Sequence, residues 1–250
     1  MGDTGQAQLD PKDHLDAERF LDYEPKIKDS AIIPHTLEAI DADHTKVCDV
    51  AGASGVFLDE LIRRSEVPVE PFIIEVTDAY RDRLVNDRIT YIHASILDNT
   101  LPDDAFDIVT FRDMLHHLVA DSVAGTLANQ HRAFDELLRI TRPGGYLIFE
   151  EEVNNVRLFS RLVYGLSKFA NRHRLRCRFF DAGTVIVSFM TPAEVRAALE
   201  ARRERFGLEI LVSSFTPQPM PWRWRLTVLM SSIAYATYVV RVHKGSPGGT

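Results

Sequence analysis

Cysteine is scarce: two residues in a chain of 250 leave no disulfide framework and no cluster with metal-ligand spacing. Cys48 falls in an apolar stretch and Cys177 among arginines, so a reducing, cytoplasmic compartment and a site without metal are expected. Long hydrophobic runs are lacking too. The stretch from Met1 to Leu9 is polar and has no apolar core of signal-peptide type. The longest charge-free run near the other end, Leu226 to Val240, has 15 residues, short of the roughly 20 that span a bilayer. It reads as a helix running into a strand, and no membrane partner is expected. Nor is there an excess of positive charge. A net charge of −7 and a pI near 5.7 argue against a dedicated nucleic-acid binder. Internal repeats and low-complexity tracts are missing as well, which excludes solenoid and linker-like architectures.

What is present is an ordinary globular balance, 45% apolar and 26% charged, in a chain long enough to bury a sizeable core. The informative stretch is Val47-Cys48-Asp49-Val50-Ala51-Gly52-Ala53-Ser54-Gly55. It reads as a short buried strand and a small-residue turn. A helix with Phe57, Leu58, Leu61 and Ile62 on one face follows. Such a turn lets a ligand lie against backbone, with the N–H groups of the helix start facing it. The next apolar run, Pro71 to Val76, carries Glu75, 20 residues beyond Gly55. An acid at that distance in a nucleotide-binding α/β unit accepts from ribose hydroxyls.

Further strands are predicted over 89–94, 104–111, 146–150, 208–212 and 236–242, with helical patterns between them. A turn is expected at Arg142-Pro143-Gly144-Gly145 and a helix from Thr191-Pro192-Ala193-Glu194. Strands alternating with helices predict an α/β fold: a doubly wound, mostly parallel sheet with helices on both faces. Residues 1–45 form an N-terminal helical region placed to act as a lid. Residues 46–250 form a single domain in which 151–190 is a basic insertion and 244–250 a disordered tail.

This set of motifs resembles the class I S-adenosylmethionine-dependent methyltransferases, in particular their small-molecule-type members. The matching pieces are Asp49 to Gly55, Glu75, Asp104-Ala105-Phe106-Asp107-Ile108-Val109, Leu115-His116-His117-Leu118 and Leu137 to Leu147. The resemblance covers roughly residues 46 to 150. It implies a Rossmann-like, seven-stranded sheet with the last strand antiparallel, and S-adenosyl-L-methionine as cofactor. It implies that Asp49, Ala51, Gly52, Ala53 and Gly55 hold the methionine end. Glu75 and Val76 would then serve the ribose, Ser95 and Ile96 the adenine, and Arg112 the region beyond strand four. Two departures stand out. Ala51 and Ala53 replace two of the three glycines usual in the turn, and alanine penalises positive φ. The turn is therefore expected to differ in shape, with Gly52 as the candidate for the unusual conformation. Ser95 stands where an acid is often found.

Methyl transfer from a sulfonium is an in-line displacement, so much of its rate comes from positioning. A base removes the acceptor's proton if the acceptor is a hydroxyl or an amine. His116, His117 and Asp113, just past strand four, are the catalytic candidates, with His116 favoured for substrate and His117 for structure. Between Val153 and Phe180 stand seven cations and no acid, interleaved with leucines and aromatics. As a cap helix this segment would offer Arg157, Arg161 and Tyr164 to an acidic or aromatic small molecule. Tyr23 and Trp222 complete the expected substrate set. A solvated basic face, a homodimer interface or a contact with an acidic carrier protein would suit the same residues. Methylation of an oxygen, nitrogen or carbon of a small molecule is the leading function. An RNA or protein methyltransferase and a non-methylating relative that binds the cofactor are the alternatives.

Overall fold

The computed structural model describes residues 24–41, 44–175, 185–218 and 233–244. A 3-10 turn at Glu24–Asp29 leads into α1 (Ile32–Ala39). The alternating series is then β1 (Thr45–Val50), α2 (Val56–Arg64), β2 (Val69–Glu75), β3 (Thr90–His93) and β4 (Phe106–Arg112), followed by α3 (Val123–Ile140) and β5 (Thr141–Asn154). Helices α4 (Arg157–Arg172), α5 (Pro192–Glu200) and α6 (Arg203–Phe206) precede β6 (Leu208–Pro217) and β7 (Ile233–Val242).

Among the described residues the strands form one seven-stranded sheet in the order β3-β2-β1-β4-β5-β7-β6. Neighbours from β3 to β5 pair in parallel, and β7 runs antiparallel to both β5 and β6. The expected doubly wound, mostly parallel α/β sheet is what is found. Side chains alternate across the sheet, which sorts the core into two layers. Val47, Ile73, Ile108 and Ile148 meet α1 and α2 through Ile32, Ile33, Phe57 and Leu61. On the other face Phe111, Phe149 and Tyr238 stack in a row against α3, with ring centroids 4.6 and 5.1 Å apart. Two helix starts carry side-chain caps: Ser122 accepts from Gly125 N–H, and Thr191 and Glu194 form a reciprocal capping box.

Two stretches differ from expectation. The predicted turn at 142–145 lies inside β5, as a bulge where Phe106 pairs with Thr141 but Ile108 with Tyr146. Gly144 takes φ 80°, and a Cβ at Gly145 would come 2.4 Å from the Asp107 carbonyl oxygen, so the two glycines let the strand resume. Strand β5 then runs on to Asn154, into the segment expected as an insertion. Tyr23, Cys177 and Trp222, and the region 245–250 of the expected tail, lie outside the described residues.

Candidate functional site

In an open α/β sheet, ligands bind beyond the carboxyl ends of the strands where the strand order reverses. Here that point is the junction of β1 and β4, with β2 and β5 alongside. The turn after β1 departs from its expected shape. Ala51 (φ 61°) and Ala53 (φ 47°) themselves occupy the left-handed region, as does Gly55 (φ 85°), whereas Gly52 does not. The chain thus keeps the alternate positive-φ pattern that a three-glycine turn would have, and the two alanines carry the strain. Gly52 is required for space: a Cβ there would lie 2.8 Å from the Asp49 carboxylate. At Gly55 a Cβ would meet Ile89 at 2.5 Å.

Two buried carboxylates bracket this turn. Asp49 is pushed up to about 7 by burial, against a hydrogen bond donated by Thr110 Oγ1 at 2.7 Å and the nearby Arg112 charge. Glu75, 6% exposed at the end of β2, accepts from the backbone N–H of Val76 (2.9 Å) and of Ala53 (3.3 Å). Burial raises it to about 7, and no lysine or arginine pairs with it among the described residues. A buried acid held by backbone donors alone retains acceptor capacity on both oxygens. Ser95 spends its hydroxyl locally, accepting from Leu97 N–H at 3.2 Å, and Ile96 is buried beside it.

At the end of β4 the chain turns sharply. Asp113 has φ 48°, and its N–H donates to the Glu150 carbonyl at 3.0 Å. Its Oδ1 is buried with no hydrogen-bond partner, as is Arg112 Nε. Burial, reinforced by the Glu151 charge and opposed by His116, raises the Asp113 carboxyl to about 7. Strand β5 contributes three consecutive acids that leave on alternate faces. Glu150 accepts from Ser30 Oγ (3.3 Å) and Ala31 N–H (3.2 Å) and lies 3.5 Å from Arg112 Nη2, tying the start of α1 to the site. Glu151, on the opposite face, accepts the N–H groups of Met114, Leu115 and His116 and pairs with His116 Nδ1 at 2.6 Å. Burial works to lower the His116 imidazole, but the charge and hydrogen bond of Glu151 outweigh it and push it up to about 9. The His116 carbonyl accepts from Ser188 N–H, and Gln130 Nε2 bridges the Leu115 and Ser188 carbonyls. His116 is thus locked in place, while His117, half-buried, lies beside it with ring centroids 4.2 Å apart and the rings tilted by 49°.

The structure therefore brings together Asp49, the 51–55 turn, Glu75, Val76, Arg112, Asp113, His116 and His117 around the carboxyl ends of β1, β2 and β4. It does not bring in the residues expected from the basic segment. Arg157 is exposed and pairs with Glu194, Arg161 is exposed beside it, and Tyr164 is buried with its hydroxyl donating to the Ala120 carbonyl. Glu150, Glu151 and Tyr235 escaped the sequence reading. The signal for the first two was on view: three acids in a row closing an apolar strand. Burial, reinforced by the charges of Asp113, Glu152 and Glu150 and opposed by Arg112, shifts the Tyr235 phenol upward.

With the geometry in hand, residues 49–149 match the methyltransferase domain family. Over 108 residues the chain is 29% identical to a demethylmenaquinone methyltransferase of Clavibacter sepedonicus. The match covers 42% of this chain and 40% of that protein, so the chain aligns with two-fifths of the relative's length. Among solved structures it resembles an S-adenosylmethionine-dependent methyltransferase from Methanosarcina mazei, with TM-score 0.58, 13% identity, and 82% of this chain and 96% of that one covered. A geranyl diphosphate methyltransferase in complex with S-adenosylmethionine is similar at TM-score 0.56 and 15% identity, covering 88% and 90%. Residues 49–149 thus match a methyltransferase domain, and the fold is the one that solved S-adenosylmethionine-dependent methyltransferases share.

Proposed function

We propose that this protein transfers the methyl group of S-adenosylmethionine to a small-molecule acceptor. The observation that carries the reading is Glu75, a buried carboxylate with backbone donors only, facing a turn whose residues 51, 53 and 55 all take positive φ. These residues fit the cofactor. Glu75 would accept from the ribose hydroxyls, the 51–55 backbone would hold the methionine end, and Ser95 and Ile96 would flank the adenine. When bound, the cofactor supplies an electrophilic methyl on a cationic sulfur.

The chain's own part is orientation and proton handling. Asp113 is the candidate base: its buried Oδ1 is unpaired, its backbone is held in a sparsely populated conformation, and its carboxyl titrates near neutrality. His116, paired with Glu151, is a positioning residue that fixes the loop carrying Asp113 and His117. Giving His116 this structural role differs from the expectation that favoured His116 for substrate and His117 for structure. Glu150 tethers Ser30 and Ala31 at the start of α1 beside the site, which suits a covering role for that helix. The acidic overall charge and the small-molecule acceptor in the Clavibacter relative's name support a metabolite over RNA or protein.

Titration calorimetry with S-adenosylhomocysteine, the demethylated cofactor, tests the first half, and binding that survives Glu75→Ala undiminished would sink it. Mass-shift detection of a methylated product across an acceptor panel tests the second, and bound cofactor with no product from any acceptor would overturn methyl transfer.

A further inference from the structure

Helix α4 packs on a mixed side inward and leaves a row of large apolar side chains outward. Ser160, Val163, Tyr164, Ser167 and Ala170 face the protein. Leu158, Leu162, Leu166 and Phe169 are instead 62%, 40%, 55% and 55% exposed. Spacings of four, four and three residues place these four in one stripe. Val156 and Leu175, exposed beyond either end, lengthen it. Along one edge of the stripe run Arg157, Arg161, Lys168 and Arg172. Arg157 reaches Glu194 and Lys168 reaches Asp121, while Arg161 and Arg172 have no ion-pair partner among the described residues. The chain carries no acid from Val153 to Phe180. A continuous exposed apolar ridge rimmed by charge marks an interaction surface, since solvent alone gives no reason to keep it.

The shape and charge of the ridge select among occupants. A second copy meeting it across a two-fold axis would bring Arg161 and Arg172 against their own kind, with no acid on the face to pair them. A nucleic acid would use the cations but gain nothing from three leucines and a phenylalanine presented to its phosphates. An acidic protein would need a groove to receive a convex ridge. An anionic bilayer surface takes both parts: the stripe enters the headgroup–acyl boundary, and the arginines meet lipid phosphates alongside it.

We propose that α4 is an interfacial helix that docks the protein on anionic phospholipid surfaces. The docking is peripheral, since no helix among the described residues is long and apolar enough to cross a membrane. It concerns a surface contact, a different matter from the spanning segment that the sequence lacks. It also gives the basic segment a role that the candidate site leaves open. Ser160 Oγ donates to the Phe189 carbonyl, Tyr164 to Ala120, and the adjoining Ser188 N–H to His116. Docking would therefore set the rim of the candidate site beside the lipid.

Cosedimentation of the full chain, without cofactor or acceptor, tests this apart from methyl transfer. The probes are vesicles of phosphatidylcholine alone and of phosphatidylcholine with about 30 mol% phosphatidylglycerol. Binding to the anionic vesicles is expected to be at least about tenfold tighter, and to weaken several-fold as salt is raised from low to physiological strength. Leu162→Asp with Leu166→Asp reduces it to the neutral-vesicle level, and Arg161→Ala with Arg172→Ala lowers it roughly tenfold or more. All four positions are exposed, so unchanged melting midpoints accompany both losses. Equal sedimentation with the two vesicle types overturns the proposal, as does an aspartate pair that binds like the parent. Concentration-dependent dimerisation abolished by the aspartate pair, without lipid binding, overturns it in favour of self-association. Retention on an acidic protein or RNA but not on vesicles overturns it in favour of that partner.

Discussion

The imidazole of His116 and the carboxylate of Glu151 form a buried pair at 2.6 Å, and the same carboxylate accepts three consecutive backbone N–H groups from the loop after β4. One β5 side chain thereby fixes the loop that carries Asp113 and His117. Removing one partner strands the other charge in the interior, which costs about 3–5 kcal/mol. Glu151→Gln should lower the chemical-denaturation free energy by about that amount. A loss below about 1 kcal/mol would show that the pair does not hold the loop.

The pH dependence of stability follows from the same groups. Asp49 and Glu75 are raised to about 7 and His116 to about 9 by their folded surroundings. Each binds its proton more tightly folded than unfolded, so each contributes stability that is complete below its ordinary value and is lost as pH rises through the folded value. For the two acids the window runs from about 4 to 7, and for the imidazole from about 6.5 to 9. The cofactor-free protein should therefore melt at progressively lower temperature between about pH 5 and pH 9, with Glu75→Gln flattening the acid part. A melting midpoint that climbs from pH 5 to 8 would contradict this assignment.

In the β1 turn, the usual advantage of alanine over glycine is cancelled. Ala51→Gly and Ala53→Gly each relieve a left-handed alanine, worth about 1 kcal/mol, against a similar entropic loss in the unfolded chain. Neither substitution should destabilise measurably. Gly55→Ala, at φ 85° and with Ile89 where the methyl would go, should cost about 2 kcal/mol or more. Equal melting shifts for all three variants would mean that the turn is not held as described.

Cofactor and acceptor functions should separate by residue. Glu75→Ala removes two charge-assisted hydrogen bonds from the ribose position, and calorimetry should show cofactor affinity falling about a hundredfold. Asp113→Asn should leave that affinity within a few-fold while slowing turnover about a hundredfold or more, and should remove a rate limb near pH 7. Asp113→Asn turning over like the parent would remove Asp113 from proton transfer.

Much of the fold is decided by local pattern. Period-two apolar runs alternating with helical ones give the parallel sheet, and Thr191 to Glu194 announces a helix start through its capping chemistry. Glu75 was legible because an acid at a strand end, at a fixed distance from a small-residue turn, has a chemical reason to be there. The shape of that turn was not legible, because alanine's local preference opposes positive φ. Hydrogen bonds from Ala51 N–H to the Ile74 carbonyl and from Ala53 N–H to the Glu75 carboxylate hold it in that shape nevertheless.

Which histidine is locked was equally hidden, since the choice rests on Glu151, 35 residues away and adjacent only through the β4–β5 register. The basic segment shows the same divide. Its leucines and arginines are written in the sequence, but only tertiary packing decides which side of α4 turns outward. Ser160, Ser167 and Ala170 pack flat against the body of the protein, and that leaves the apolar stripe facing outward. Sequence by itself determined most of the strands, the place of the turn and the acid at the end of β2, because their causes are local. Pairings across the sheet and the orientation of helices depend on contacts between distant segments, so those were settled only when the chain closed on itself.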